Sequence, residues 1–204
     1  MTVWYIARGA GLSAVVLLTA ATCIGALLGA RRPAHPGARV VLQHMHRAVA
    51  STALIVLGVH ITAILADSYA HVGVVGALVP GQSAYRALWV ALGSIAVYLL
   101  VAVAATGFLR VRMSRSPRWT AAWRGIHGAA YAAWAMAMLH GLRSGTDSGV
   151  SWVRWTYICC AAAVAGCVAV RLLAGGAFRS TPASSTPARS TSDPIPHRVT
   201  AGAR

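Results

Sequence analysis

Two stretches decide the fold of this 204-residue chain: HRAVASTALIVLGVH (residues 46–60) and HGAAYAAWAMAMLH (residues 127–140). Each begins and ends with a histidine, and the residues between them are mostly apolar. His46 and His60 are fourteen residues apart, and His127 and His140 are thirteen apart. An ionisable side chain inside a membrane span is costly, so these histidines indicate a functional role.

Composition predicts a membrane protein. Hydrophobic residues make up 57% of the chain and charged residues 10%, with a mean hydropathy of +0.64. That is too apolar for a soluble domain of this length. The net charge of +15 comes entirely from arginine. Because the arginines flank apolar stretches, we interpret them as topological signals and not as a nucleic-acid surface.

Stretches free of Asp, Glu, Lys and Arg predict five transmembrane helices, given that a span needs about 20 apolar residues. They cover residues 9–30, 48–66, 87–109, 125–142 (from Trp123 if Arg124 snorkels) and 155–170. The predicted fold class is an all-α integral membrane protein, a five-helix transmembrane bundle over residues 1–174. Residues 175–204 are rich in Ser, Thr, Pro and Arg and predict a disordered cytoplasmic tail. A short apolar run at 72–79 is too short to span. Beyond the paired histidines, no internal repeat is evident.

Arginine distribution predicts the orientation. The first and third connections and the C-terminal side are arginine-rich, whereas the second and fourth connections are not. Cytoplasmic loops carry the excess of positive charge, so the N-terminus is expected outside and the C-terminus inside. The expected location is the plasma membrane, in a multi-pass arrangement.

Depth pairs the histidines across the second and fourth predicted helices, which run in the same direction. His46 is expected near His127 at the cytoplasmic face, and His60 near His140 at the outer face. Imidazole is a usual axial ligand of haem iron, so each pair is a candidate clamp for one b-type haem, giving two haems, or one if only one pair is occupied. Thirteen residues leave about 140° between His127 and His140 in a straight helix. Tightening, a kink, or differently angled haems are three open explanations.

A structural alternative is that these histidines only cap helices or bond one another. His44, His35, His71 and His197 are weaker candidates, and none is assigned as a ligand. Haem carboxylates require cations, for which Arg47 and Arg124 are candidates at the inner pair and Arg143 at the outer pair; interfacial anchoring is an equal alternative. Trp134 is a candidate to pack between the two haems, although an ordinary packed aromatic is the simpler interpretation.

The segments HMHRAVASTALIVLGVHITAILADSYA (44–70) and AAWRGIHGAAYAAWAMAMLHGLRSGTD (121–147) carry a resemblance to the ferric reductase-like transmembrane domain family. This family includes ferric reductases, NADPH oxidases and the haem subunit of the bacterial periplasmic methionine-sulfoxide reductase system. The intervening ALVPGQSAYRALWVALG (77–93) resembles the bacterial members, and the likeness covers about residues 4–173. The family's paired histidines correspond to His46, His60, His127 and His140.

The resemblance implies transmembrane electron transfer in a bacterial plasma membrane. No flavin or NAD(P)H domain is expected after the last helix, so the chain needs a separate donor, either a cytoplasmic flavoprotein or membrane quinol. The acceptor at the outer face is unknown, and the chain is expected to be an electron-transfer subunit without a catalytic residue of its own. Two alternatives stay open: a non-redox membrane scaffold, and a transporter that uses the histidines as a proton relay.

Overall fold

A computed structural model describes residues 2–30, 36–67, 72–113, 116–147 and 149–177. Every regular element in these ranges is helical. The elements are α1 (Thr2–Gly29), α2 (Pro36–Ala66), α3 (Gly73–Leu78), α4 (Ala87–Met113), α5 (Pro117–Gly128), α6 (Ala130–Ser144) and α7 (Ser151–Ala177).

Four of the described helices are long and apolar enough to cross a membrane, which agrees with the predicted class of membrane protein. The qualifying segments are Thr2–Gly29, Gly37–Ala66, Ala87–Arg110 and Ser151–Ala174. Large apolar side chains on these helices face outward, with Phe108 76% exposed and Ile55 68% exposed. Such a surface suits hydrocarbon, since lipid tails solvate apolar side chains as well as a protein core does.

The fourth predicted span differs from the expectation of one helix. It consists of α5, with 12 residues, and α6, with 15 residues, joined at Ala129. Ala129 donates its N–H to the Ile126 carbonyl at 3.0 Å, an i to i−3 bond that tightens the chain at this point. The histidines of this span therefore lie on two different helices, His127 on α5 and His140 on α6.

The helices pack around α1 and α4. Helix α1 contacts α2, α6 and α7, while α4 contacts α3, α5 and α6. A central layer of apolar side chains joins α1, α2, α4 and α6, consisting of Leu18, Ala53, Leu100 and Ala133. Ala53 and Ala133 have no exposed surface, so the bundle is closely packed at this level.

Helix α3 is the apolar run that is too short to span. It rests on α4, where the Ser94 hydroxyl donates to the Ala77 carbonyl at 2.6 Å and the Tyr98 hydroxyl donates to the Leu78 carbonyl. These bonds satisfy carbonyls at the C-terminal end of α3 that have no partner within the helix. The tail predicted from residue 175 onward begins within α7, and residues 178–204 lie outside the described residues.

Candidate functional site

The four histidines predicted as ligands form two facing pairs, in agreement with the predicted pairing. The ring centroids of His46 and His127 are 6.3 Å apart, with 65° between the ring planes. The centroids of His60 and His140 are 6.4 Å apart, with 78° between the planes. Helix α2 thus faces α5 at one end of the bundle and α6 at the other.

In each pair, the two Nδ1 atoms are directed at groups on two other helices, α1 for the α2 histidine and α4 for its partner. Nδ1 of His46 lies 3.0 Å from the Ala21 carbonyl oxygen, and Nδ1 of His60 lies 2.7 Å from that of Ala7. Nδ1 of His140 lies 2.7 Å from the Trp89 carbonyl oxygen. A carbonyl only accepts, so these three rings donate an N–H from Nδ1, and in a neutral imidazole that leaves Nε2 as the unprotonated nitrogen.

His127 has a looser version of the same arrangement. Its Nδ1 lies 3.4 Å from the hydroxyl oxygen of Thr106, which itself donates to the Val103 carbonyl at 2.8 Å. Metal-binding histidines usually donate their second ring N–H in this way, which fixes the tautomer and the ring orientation.

The centroid separations distinguish a metal clamp from a direct histidine–histidine bond. A five-membered ring with bonds of about 1.35 Å has its atoms about 1.15 Å from its centre. Two Nε2 atoms bound to one metal at about 2.0–2.1 Å would put the centroids about 6.3–6.5 Å apart in a linear arrangement. A linear hydrogen bond of about 2.9 Å would put them only about 5.2 Å apart. The observed 6.3 and 6.4 Å are too long for a direct hydrogen bond between the two imidazoles and leave room for a metal between the rings.

The number of protein ligands at each histidine pair limits which metal the pair could hold. Among the described residues, no group of three or more His, Cys, Asp or Glu side chains is placed to hold a metal ion. Zinc sites normally take three or four protein ligands, so two histidines are too few. A haem iron brings four equatorial nitrogens of its own and needs only two axial protein ligands. The donor set at each pair therefore fits haem.

Every one of the four histidines lies against a glycine of the helix that supplies its Nδ1 partner. A Cβ atom built on Gly11 would lie 2.9 Å from Nδ1 of His60, and one on Gly25 would lie 3.3 Å from Cε1 of His46. On α4, a Cβ on Gly93 would lie 2.7 Å from Nδ1 of His140. The corresponding distance from Gly107 to Cε1 of His127 is 3.9 Å. These glycines, which sequence reasoning missed, give the rings space beside the backbone.

The glycines reveal an internal repeat. Gly11 and Gly25 correspond to Gly93 and Gly107 with a shift of 82 residues, and the carbonyls of Ala7 and Ala21 correspond to those of Trp89 and Val103 with the same shift. GLSAVVLLTA (11–20) and GSIAVYLLVA (93–102) share six of ten residues. This correspondence extends the matched spacing beyond the paired histidines, and the glycine spacing was the signal in the sequence that could have found it.

The same repeat explains the break at Ala129. In the central layer, Leu18 corresponds to Leu100 with a shift of 82, and Ala53 to Ala133 with a shift of 80. His46 corresponds to His127 with a shift of 81, and His60 to His140 with a shift of 80. The second half thus has one residue fewer between its first histidine and the central layer. The local tightening at Ala129 lies in the stretch where that residue is missing, between His127 and Ala133.

A cavity of about 460 Å³ lies beside the His60–His140 pair. Both histidines line it, together with Gly11, Gly93 and mainly apolar side chains. Its volume is within the range of about 300–1,000 Å³ that is usual for cofactor and ligand pockets.

Arg8 is the charged residue that sequence reasoning missed in this cavity. It forms an ion pair with Asp147, which also lines the wall, and its guanidinium lies 5.4 Å from the centre of the Trp4 ring. Only the fold shows this position, because Arg8 looks like an ordinary flanking charge in the sequence.

The three arginines expected near the histidines are exposed. Arg47 and Arg124 lie on the surface of α2 and α5. The guanidinium of Arg143 lies 5.0 Å from the centre of the ring of Trp89, the residue whose carbonyl accepts from His140. Their pairing with cofactor carboxylates stays a prediction.

Trp134 lies in the layer between the two histidine pairs, as expected. It packs against the central apolar cluster, and its indole N–H donates to the Thr19 hydroxyl at 2.9 Å. This bond anchors α6 to α1. Its expected contact with two haems is untested. His44 is exposed, as its position two residues from His46 predicts, while His35, His71 and His197 lie outside the described residues.

Comparison with protein-family models, curated proteins and solved structures found no match to this chain. The functional argument therefore depends on the site itself.

Proposed function

We propose that this protein carries electrons across a membrane, with one b-type haem held by His46 and His127 and a second held by His60 and His140. Haem, when bound, supplies a centre that gains and loses one electron within the apolar bundle. The observation that carries this proposal is the spacing of the pairs, 6.3 and 6.4 Å, combined with the Nδ1 partners.

The protein's own residues have distinct parts in this proposal. The carbonyls of Ala7, Ala21 and Trp89 hold three imidazoles in the tautomer that presents Nε2. Hydrogen bonds of this kind also raise the basicity of a ligand nitrogen. Arg8 is the candidate cation for a cofactor carboxylate in the cavity, since it lines the wall with His60 and His140; it would have to bind that carboxylate alongside or in place of Asp147, its present ion-pair partner.

Five spans are the topology that best supports this function, with α5 and α6 acting as one broken span. His127 on α5 contacts Thr106 near the end of α4, and His140 on α6 contacts Trp89 near its start. The α5–α6 segment therefore runs antiparallel to α4 along most of its length. Since α4 is long enough to cross a bilayer, its neighbour covers a similar thickness.

The orientation follows from charge. Arg39, Arg47, Arg110, Arg118 and Arg124 are all exposed at the end of the bundle that contains His46 and His127. The opposite end contains four arginines, Arg8, Arg86, Arg143 and Arg154, together with two of the three acidic residues, Asp67 and Asp147, so its net positive charge is smaller. By the excess of positive charge on cytoplasmic segments, the His46–His127 end faces the cytoplasm of a bacterial plasma membrane and the N-terminus lies outside.

A separate donor would supply electrons at the cytoplasmic end, either a flavoprotein or membrane quinol, and the acceptor would bind at the outer end. This choice of donor side and acceptor side is implied by the resemblance to ferric reductase-like membrane domains. The chain would then act as an electron-transfer subunit of a larger system.

The decisive test is the haem content of the purified protein. We expect reduced-minus-oxidised spectra of a b-type haem with two haems per chain, falling to one in His46→Ala and in His60→Ala. His44→Ala is the matched control, because His44 is on the same helix and exposed. Protein that folds, is supplied with haem during expression and contains none would refute the proposal.

A further inference from the structure

We propose that Trp123 is the positioning residue of the His46–His127 site. This inference rests on the proposed haem function and concerns the ring of His127, whose Nδ1 contact of 3.4 Å to the Thr106 hydroxyl is longer than the Nδ1 hydrogen bonds of the other three paired histidines.

Two contacts that position the other three histidines, the Nδ1 hydrogen bond and the close glycine, are longer at His127. Its Nδ1 contact of 3.4 Å to the Thr106 hydroxyl is longer than the 2.7–3.0 Å contacts of the other three rings. It also exceeds the usual range of about 2.7–3.2 Å for a hydrogen bond from nitrogen to oxygen. A Cβ atom built on Gly107 would lie 3.9 Å from the His127 ring, whereas Cβ atoms built on the other three glycines would lie 3.3 Å or less from theirs.

Trp123 supplies the missing restraint. Its ring is stacked on that of His127, with centroids 5.2 Å apart and 19° between the planes. The two residues are four apart on α5, so they share one face of the helix. A stacked ring blocks rotation of the imidazole about its Cβ–Cγ bond, since tilting would bring the two planes into contact.

Trp123 is itself held on both sides. Its indole N–H donates to the Thr106 carbonyl at 3.1 Å, and the guanidinium of Arg110 lies 5.2 Å from its ring centre. Both partners belong to α4, so Trp123 ties the short helix α5 to the helix that carries Gly107. An arginine over a tryptophan face is an attractive cation–π contact.

Comparison of the two halves of the chain shows that, among the described residues, only the His46–His127 site has a stacked tryptophan beside one of its histidines. Trp123 corresponds to Leu42 with the shift of 81 that relates His46 to His127. The position four residues before His46 therefore lacks an aromatic ring, and the His46 ring is held by the Ala21 carbonyl and the close backbone at Gly25 instead. Trp123 compensates for the looser fit that accompanies the broken α5–α6 span.

The first experiment uses the full chain without haem. Diethyl pyrocarbonate modifies accessible imidazoles, and mass spectrometry of peptides gives the rate for each histidine. In Trp123→Leu we expect His127 to be modified several-fold faster than in the wild type, with the rate of His140 unchanged. Trp123→Phe keeps a ring and should restore most of the protection. Trp119→Leu is the control, because Trp119 is exposed on the same helix.

The second experiment uses the haem-loaded protein. The electron paramagnetic resonance signal of a ferric bis-histidine haem depends on the angle between its two imidazole planes. In Trp123→Leu we expect a shifted or broadened signal for the haem that His46→Ala removes, and an unchanged signal for the haem that His60→Ala removes. A merely structural role would alter both signals together.

The outcomes separate the two proposals. An unchanged His127 rate, or an unchanged signal, in folded Trp123→Leu overturns the positioning role while the haem function stands. Wild-type protein without haem refutes the haem function, and the modification experiment still decides the stacking. If Trp123→Leu does not fold, Trp123→Met takes its place, because it also removes the aromatic ring but keeps a long apolar side chain, and a wild-type rate at His127 in folded Trp123→Met overturns the role.

Discussion

Gly93→Ala tests the packing of the His60–His140 site most sharply. A Cβ atom at position 93 would lie 2.7 Å from Nδ1 and 2.9 Å from Cε1 of His140, where ordinary contact begins at 3.4 Å. The imidazole must therefore move by about 0.7 Å, because both partners are close-packed and the added carbon belongs to a rigid helix.

That movement affects both functions of the ring. The 2.7 Å contact from Nδ1 of His140 to the Trp89 carbonyl would lengthen to about 3.4 Å if the ring moved directly away, beyond the useful range of a hydrogen bond. The loss would cost about 1 kcal/mol of stability. Metal–ligand distances tolerate only about 0.2 Å, so the same movement should release the haem from this pair.

Gly107→Ala is the matched control on the same helix. Its Cβ would lie 3.9 Å from Cε1 of His127, which is ordinary contact, so no ring has to move. Replacing a glycine by alanine inside a helix should also favour folding by about 0.5–1 kcal/mol. We expect two haems per chain in the wild type and in Gly107→Ala, and one in Gly93→Ala, measured by haem extraction and visible spectra.

The four glycine positions form a graded series. The close approach decreases from Gly93 to Gly11, Gly25 and Gly107, with nearest distances of 2.7, 2.9, 3.3 and 3.9 Å. Haem retention in the four alanine variants should rise in that order. If Gly93→Ala keeps the haem content and spectrum of Gly107→Ala, the close packing of His140 on α4 is not as described and the reasoning fails.

Two further predictions concern the break in the fourth span and the cation in the cavity. Inserting one alanine after Ala129 restores the fourteen-residue spacing found between His46 and His60, so we expect both haems to stay bound. An insertion after Ala135 turns the residues that follow it, including His140, by about 100° and should remove one haem. Equal haem contents in the two variants would contradict the role of the break. Arg8→Gln removes a positive charge from the cavity wall and should lower the midpoint potential of one haem by about 60 mV, equivalent to about 1.4 kcal/mol for one electron. Arg143→Gln should shift it less, because the Arg143 side chain is exposed and screened by solvent; a redox titration in which Arg143→Gln has the larger effect would argue against Arg8 as the carboxylate partner.

The sequence by itself determined the helical membrane class and the pairing of the histidines. Apolar runs of the required length predict spans because the bilayer thickness and the rise per residue are both constant. Histidines at matched positions along two parallel spans must then lie at matched depths. His46 faces His127 and His60 faces His140 for that reason.

Only the tertiary structure decided the contacts that each histidine makes with the neighbouring helices. The glycines beside each ring, the carbonyls that take the Nδ1 protons and the approach of Arg8 to the cavity depend on which helices are neighbours and how closely they approach. Periodicity along one helix contains no information on those distances. The break at Ala129 could also not be predicted from the sequence. The segment from His127 to Ala133 is one residue shorter than the segment from His46 to Ala53, and the helix tightens to cover the same distance only because both of its ends are packed against α4.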